Sequence, residues 1–139
     1  MIKEITKDDA ILSKKCDKAT AEDAAVVEDL MDTIDSLEEV AALAANQIGV
    51  TKAIVVWLDE DDGKHVMFNP VMKKALYPIR TFEECFSRDG EAKVTRYGWC
   101  EVEFDELENG KLKHCKREFE GRDAQVIQHM VDHCKGKLV

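Results

Sequence analysis

The sequence contains no hydrophobic run long enough to cross a membrane, because no stretch approaches the ~20 apolar residues that a spanning helix needs. The segment Met1–Ile5 also lacks the apolar stretch of a secretory signal. Basic residues are outnumbered, with 20 lysines and arginines against 29 aspartates and glutamates and a formal net charge of −9. Such a surface repels nucleic acid and anionic membranes. These features predict a cytoplasmic protein that acts on a small ligand or a peptide, with no nucleic-acid or membrane partner.

The number and spacing of the cysteines argue against a disulfide framework and a zinc knuckle. They are five, an odd number, and no two of them form a C-x-x-C pair. Reduced thiols are therefore expected, and at least one thiol is left to bind a metal. The five are Cys16, Cys85, Cys100, Cys115 and Cys134.

Nothing in the sequence divides it into parts. It has no internal repeat, no low-complexity tract and no linker rich in proline and glycine, and its prolines number only two. A chain of 139 residues is long enough to bury roughly two thirds of the surface that it exposes when unfolded. We therefore predict a single domain over residues 1–139.

A helix is predicted near each end of the chain. Thr20 and Asp23 form a capping-box pattern, and apolar residues then recur at helical spacing, which predicts a first helix over about residues 21–36. The last helix is expected to start after Gly121 and to stop at Gly136.

The segment between these helices carries strand signals. The dipeptide Asn109-Gly110 predicts a tight hairpin turn. Because strands separate the two helices without regular alternation, the fold class is α+β. The first two expected strands, 53–58 and 65–68, form an antiparallel pair that Asn69-Pro70 closes. The small side chains of 40–49 lead into the first of them. Further strands are expected over 93–95, 100–104 and 111–119.

The last helix contains two histidines at metal-binding spacing. His129 and His133 are four residues apart, so both project from one helical face. In helices of the form H-E-x-x-H, a glutamate follows the first histidine and moves protons for the water that the metal activates. Met130 stands at that position here. The pattern predicts a metal site that has lost its base, and the alternative is a pair of histidines bonded within the core.

Other residues offer roles that the sequence leaves open. Cys85, in a polar segment, is either a third metal ligand, which would leave a fourth position open as in catalytic sites, or a structural thiol. Asp132 is either the partner that holds an imidazole or a solvated helix charge. Gln47 is either an amide donor to a developing oxyanion or an ordinary surface glutamine.

Three segments in order resemble the signature motifs of the peptide deformylases. They are Leu43–Gly49, the pattern Glu83-x-Cys85-x-Ser87, and Gln128–His133 with its two histidines. The resemblance spans nearly the whole chain and is closest to the short forms of the family, since nothing follows Val139. It implies a fold of antiparallel strands around a C-terminal metal-binding helix, with an N-terminal helix.

The resemblance also implies roles for individual residues. Cys85, His129 and His133 would bind one divalent metal, ferrous iron natively, with zinc or nickel as alternatives. Gln47 and the backbone amide of Phe86 would hold the formyl oxygen as it becomes anionic. The substrate would be the N-formylmethionyl end of a nascent peptide near the ribosome, extended along a sheet edge. Glu83 and Arg96 match a charged pair that braces the family's site loop.

This chain departs from the family's pattern at several positions. Val40 and Ala42 stand where the family has glycines, which crowds the groove, and Glu84 and Phe86 flank Cys85 in place of glycine and leucine. Met130 replaces the glutamate that moves protons, and general acid-base catalysis is worth ~10²–10⁴-fold. The sequence therefore predicts impaired formyl hydrolysis, with Glu84 as a weak substitute base.

Alternatives to an impaired hydrolase stay open. One alternative is a pseudoenzyme that binds metal and captures N-formyl peptides or a protein partner without turnover. Two further alternatives are that Met130 was introduced to trap substrate or metal, and that the chain is a structural relic without metal.

Overall fold

A computed structural model describes the backbone of residues 1–85 and 88–139, and within these ranges the side chains of all residues except 84, 85, 88 and 89. Short turns connect three α-helices and five strands. The helices are α1 (Asp9–Leu12), α2 (Ala24–Asp35) and α3 (Gly121–Cys134), and the strands are β1 (Ala42–Ala44), β2 (Ile54–Leu58), β3 (Lys64–Cys85), β4 (Arg88–Glu108) and β5 (Lys111–Glu120).

The five strands form one antiparallel sheet in the order β1-β2-β3-β4-β5, so that β1 and β5 are its edges. Side chains alternate between the two faces of a strand. On one face, Val55 and Trp57 pack with α3, and on the other, Ile54 and Val56 pack with α2. Helices α2 and α3 each bury an apolar stripe against one face of the sheet, and this α+β arrangement confirms the predicted fold class.

The predicted first helix is confirmed, with a short 3₁₀ turn before it. The backbone N–H of Thr20 donates to Asp23 at 2.8 Å and the N–H of Glu22 donates to the Thr20 hydroxyl at 3.3 Å. These bonds close the predicted capping box, and the α-helix follows from Ala24 to Asp35.

The strand predicted to close at Asn69-Pro70 does not end there, and this boundary is wrong. Strand β3 is 22 residues long and runs from Lys64 through this dipeptide to Cys85. Asn69 has a φ of +55°, and the pairing register shifts between Phe68 and Val71, so a bulge accommodates a proline that has no N–H to donate. The Asn69 side chain also bonds both backbone groups of Ala19, at 2.8 and 2.9 Å, which holds the bulge in place.

The strands predicted over 93–95 and 100–104 are parts of one strand, β4, so their separation is also wrong. The predicted hairpin at Asn109-Gly110 is confirmed, since both residues have positive φ, 52° and 77°, as the favoured two-residue hairpin turn requires. Strand β5 then pairs with β4 from Glu108↔Lys111 to Trp99↔Glu120.

The C-terminal helix is confirmed and ends where glycine is required. Gly136 has a φ of +77°, and a Cβ there would lie 2.6 Å from the carbonyl oxygen of Ser13. The backbone N–H of Cys16 donates to the Cys134 carbonyl at 2.9 Å. The N-terminal segment is therefore fixed against the end of α3. Within residues 1–85 and 88–139, no helix is long and apolar enough to span a membrane.

Four of the five cysteines are described, and each is a free thiol, as expected. Burial raises the pKa of Cys16 and of Cys100 to about 11. A high pKa leaves little thiolate at neutral pH, so these thiols are poor nucleophiles.

A histidine between two carboxylates makes stability depend on pH. His114 on β5 lies 2.8 Å through Nε2 from Glu103 and 3.0 Å through Nδ1 from Asp105, both on β4. The bonds to Glu103 and then to Asp105 raise the pKa of His114 above its ordinary 6.5. Because the folded pKa is raised, this stabilisation is complete below about pH 6.5 and is lost as the pH rises through the folded pKa.

We expect the free energy of unfolding to show this decline in denaturant titrations across that pH range. NMR titration of His114 should give a raised pKa that returns toward 6.5 in the Glu103→Gln/Asp105→Asn double variant. An unshifted His114 in the unsubstituted protein would contradict this expectation.

Candidate metal centre and active-site cleft

Helix α3 brings the two predicted histidines together. The Nε2 atoms of His129 and His133 are 3.1 Å apart, and their rings meet edge to face with centroids 4.8 Å apart. The two residues are 8% and 2% exposed. Their spacing places them one turn apart, and the apolar face of the same helix fixes that turn against the sheet.

Glu83, on β3, holds the imidazole of His129. The Nδ1 atom of His129 lies 2.7 Å from Glu83 Oε1. A carboxylate only accepts, so the proton sits on Nδ1 and the lone pair of neutral His129 is on Nε2. A carboxylate that accepts from the other ring nitrogen is the usual arrangement that orients a histidine for metal binding.

Glu83 belongs to a buried charge network that joins strands β3 and β4 to α3. Arg96 donates to Glu83 from Nε at 2.9 and 3.0 Å and from a terminal nitrogen at 2.6 Å, and Gln125 donates at 2.9 Å. Burial opposes ionisation of Glu83, but hydrogen bonds from His129, Arg96 and Gln125 outweigh it and lower its pKa to about 2. Glu83 is thus ionised at neutral pH, and the predicted bracing pair also orients a histidine.

Asp132 is bound by a guanidinium. Its Oδ2 accepts from Arg96 at 2.7 Å, and its side chain is 14% exposed. It is therefore not a solvated helix charge, and the imidazole of His129 is held by Glu83. Arg96 can bind Asp132 because its guanidinium lies between the carboxylates of Glu83 and Asp132.

The two histidines fit a metal ion. Nitrogen ligands at about 2.0–2.1 Å from one tetrahedral ion are separated by ~3.3 Å, close to the 3.1 Å between the Nε2 atoms. The side chain of Cys85, at the end of β3, and the backbone of Phe86 lie outside the described residues. The same holds for the side chain of Glu84. Among the described residues, no group of three His, Cys, Asp or Glu side chains converges on one point.

Gln47 is a buried residue, so its interpretation as an ordinary surface glutamine is wrong. It lies in the 3₁₀ turn Ala45–Ile48 that follows β1, and it is 2% exposed. The N–H of Ala44 donates to Gln47 Oε1 at 2.9 Å. This bond fixes the amide so that Nε2 is its donor end.

A cleft of about 480 Å³ connects these residues. Edge strand β1 and the segment before it form one wall, and Val40 and Ala42 line the cleft there. Met130 faces the same cleft and is 6% exposed. Six of the lining residues are Val40, Ala42, Gln47, Glu83, His129 and Met130.

A larger hollow, of about 670 Å³, lies between Leu76 and Trp99. The residues that line it in the described part of the chain include no histidine, cysteine or methionine. It therefore offers no metal ligand of the kind that the first cleft has.

Sequence reasoning assigned no role to three polar residues that position the site, although two of them lie in the quoted motifs. Gln125 bonds Glu83, Gln128 bonds both backbone groups of Tyr97 at 2.7 and 2.8 Å, and Asn46 donates to the carbonyl of His133 at 2.8 Å. Two of them are next to predicted site residues in sequence, which was the available signal. Gln125 lies one helical turn before His129, so helical periodicity was the signal there.

Residues 2–139 match the family model described as polypeptide deformylase. The peptide deformylase of Clostridium beijerinckii is 40% identical to this chain over 142 aligned positions, which cover all of both chains. The peptide deformylase of Dictyoglomus thermophilum is 34% identical over all of this chain and 91% of its own.

Solved structures agree with these sequence matches. The Met-Ala-Ser-bound class I type b peptide deformylase from Acinetobacter baumannii shares the fold with a TM-score of 0.85, at 19% identity, over 99% of this chain and 97% of its own. With its buried histidine pair, its full-length family match and its close relatives, this chain belongs to the polypeptide deformylase family.

Proposed function

We propose that this chain binds one divalent metal through Cys85, His129 and His133 and acts on N-formylmethionyl peptides, with a turnover that Met130 impairs. Ferrous iron is the native metal in this proposal, with zinc or nickel as alternatives. One observation carries it: two buried Nε2 atoms, 3.1 Å apart, at a cleft that Gln47 and Met130 also line.

A metal in this place would act as a Lewis acid and lower the pKa of a water. Residues of the protein would stabilise the developing charge and orient the metal ligands. Gln47 Nε2 and the Phe86 amide would donate to the formyl oxygen as negative charge develops there. Glu83 would keep His129 in the tautomer that binds through Nε2.

The peptide would lie as an added strand along β1. This strand is an edge of the sheet, and its residue Ala42 lines the cleft. Edge strands present unpaired backbone groups that an extended peptide can bind. The family acts on N-formylmethionyl peptides, which fits such a groove.

Met130 limits the chemistry at this site. A thioether neither accepts a proton from water nor returns one to a leaving amine. Of the nearby carboxylates, Glu83 and Asp132 are committed to Arg96. We therefore expect the protein to bind the peptide but to hydrolyse it slowly.

A cobalt titration tests the metal site. Co²⁺ bound by a thiolate and two imidazoles gives a sulfur charge-transfer band and tetrahedral ligand-field bands. We expect both in the unsubstituted protein, loss of the charge-transfer band in Cys85→Ser, and loss of stoichiometric binding in His129→Ala. Binding that survives His129→Ala would contradict the proposed site.

Glu83→Gln should lower metal affinity by about 10–100-fold, the usual effect of losing a partner that orients a metal-binding histidine. The reason is that an amide accepts more weakly from Nδ1 and carries no charge. Competition with a zinc-binding dye measures this affinity. Glu91→Gln is the matched control, because Glu91 lines the same cleft but is an exposed residue on β4. Equal affinities of the two variants would contradict the role of Glu83.

The second candidate function is capture of N-formyl peptides, or of a partner's N-terminus, without turnover. The apolar Met130 in the cleft favours it, because the cleft keeps its lining while losing its proton carrier. Calorimetric binding of formyl-Met-Ala-Ser together with undetectable hydrolysis would support it. The single domain, the cytoplasmic location and proximity to the ribosome stay predictions.

A further inference from the structure

The cleft carries negative charge on two of its walls. Glu39 lies in the segment before edge strand β1, which forms one wall. Glu91 lies on β4, whose partner strand β3 supplies Phe82 and Glu83 to the same lining. The side chains of Glu39 and Glu91 are both exposed. A peptide in this cleft therefore meets carboxylates that come from two different elements.

The residues around these two carboxylates do not neutralise them. The third carboxylate of the lining, Glu83, is paired with Arg96 at 2.6 Å. In the part of the chain that the structure describes, no ion pair includes Glu39 or Glu91, and no lysine or arginine lines the cleft. The formal charge of the whole chain is −9, so the overall field of the protein has the same sign as the field in the cleft.

Charges on the walls of a cleft act on a bound peptide without a fixed contact. The protein walls have a low dielectric constant and concentrate the field in the cleft, and exposed charges interact over about 10 Å at 0.1 M salt. A lysine or arginine side chain would be attracted, whereas an acidic one would be repelled and would lose hydration without gaining a partner. Val40 and Val126 also line the cleft, and such apolar surface suits the aliphatic stem of a basic side chain.

We propose that Glu39 and Glu91 make this cleft select N-formylmethionyl peptides with a lysine or arginine in the two positions after the methionine, and disfavour acidic residues there. The inference rests on the proposed function and narrows its substrate class. Each carboxylate should contribute about two- to fivefold in affinity, the usual strength of an exposed ion pair. Exposure limits the effect, because water and salt screen both charges.

Binding of formylated tripeptide amides to the metal-loaded protein tests the inference. The peptides are formyl-Met-Xaa-Ser and formyl-Met-Ala-Xaa, with lysine, norleucine or glutamate at the varied position. Norleucine keeps the aliphatic stem without the charge, and the amide removes a terminal carboxylate that would itself be repelled. Calorimetry should show the tightest binding for lysine and the weakest for glutamate. These differences should shrink at about 1 M salt, where the screening length falls to about 3 Å.

Substitutions assign the preference to the two carboxylates. Glu39→Gln and Glu91→Gln should each reduce it, and the double variant should bind the lysine and glutamate peptides alike. Glu38→Gln is the matched control, because Glu38 is the exposed carboxylate next to Glu39 and does not line the cleft. It removes the same charge from the chain and should leave the preference unchanged.

The outcomes separate the inference from the proposed function. Equal affinities for the three side chains in both peptide series, or a preference that survives the double substitution, would overturn the role of Glu39 and Glu91 and leave the proposed function standing. Failure of every peptide to bind, those with norleucine included, would overturn the proposed function and this inference with it.

Discussion

Met130→Glu should raise the turnover of formyl-Met-Ala-Ser by about 10²–10⁴-fold, the usual contribution of a positioned general acid-base. The glutamate would enter a cleft that His129 and Gln47 also line. Partial burial would raise its pKa toward neutrality, which suits a group that both takes and returns a proton. The gain should appear in kcat, with little change in KM, because the substituted group acts on the reacting atoms.

Met130→Gln is the control for this prediction. Glutamine has the shape and polarity of glutamate but does not carry a proton between water and amine. Assays on metal-loaded protein should therefore show a gain for glutamate alone. Equal rates in the two variants would mean that polarity, and not proton transfer, limits turnover. Rates for the unsubstituted protein that match Met130→Glu would refute the impairment.

Arg96→Met should destabilise the fold by about 3–5 kcal/mol, the usual cost of removing one partner from a buried ion pair. Arg96 is 6% exposed and bonds two carboxylates, Glu83 and Asp132, at 2.6 and 2.7 Å. Without it, like charges face one another between β3 and α3. Denaturant unfolding monitored by circular dichroism measures the loss.

Arg122→Met provides the comparison for that experiment. Arg122 has a side chain that is 44% exposed, and it pairs with Asp123 at 3.4 Å. Exposed pairs contribute at most about 1 kcal/mol, so this substitution should be nearly neutral. If Arg96→Met were as mild as Arg122→Met, the network would not be a stabilising link between strands β3 and β4 and helix α3.

The chain's local patterns were good predictors of its local structure. The capping box at Thr20, the hairpin at Asn109-Gly110 and the spacing of His129 and His133 each depend on residues within a few positions of one another. Backbone geometry converts such spacing directly into structure. The same holds for the family motifs, whose order along the chain was enough to indicate the family.

Errors arose where a distant residue decided the outcome. Pro70 normally ends a strand, yet β3 continues because Asn69 is bound to Ala19, 50 residues earlier. Asp132 is not the solvated helix charge that was one alternative, because Arg96, which comes from another element 36 residues away, binds it. Propensity and periodicity contain no information about such contacts.

The sequence by itself determined the family, the α+β class and the histidine pair with Met130 between its members, because motif order, periodicity and residue identity are properties of the chain. Only the tertiary structure decided which carboxylate holds His129, that Gln47 is buried, and that Met130 shares a cleft with both. Glu83 and His129 are 46 residues apart, and their bond exists only because α3 packs on a sheet that contains β3. Such packing depends on burial of apolar surface by many residues at once, so no single motif specifies it.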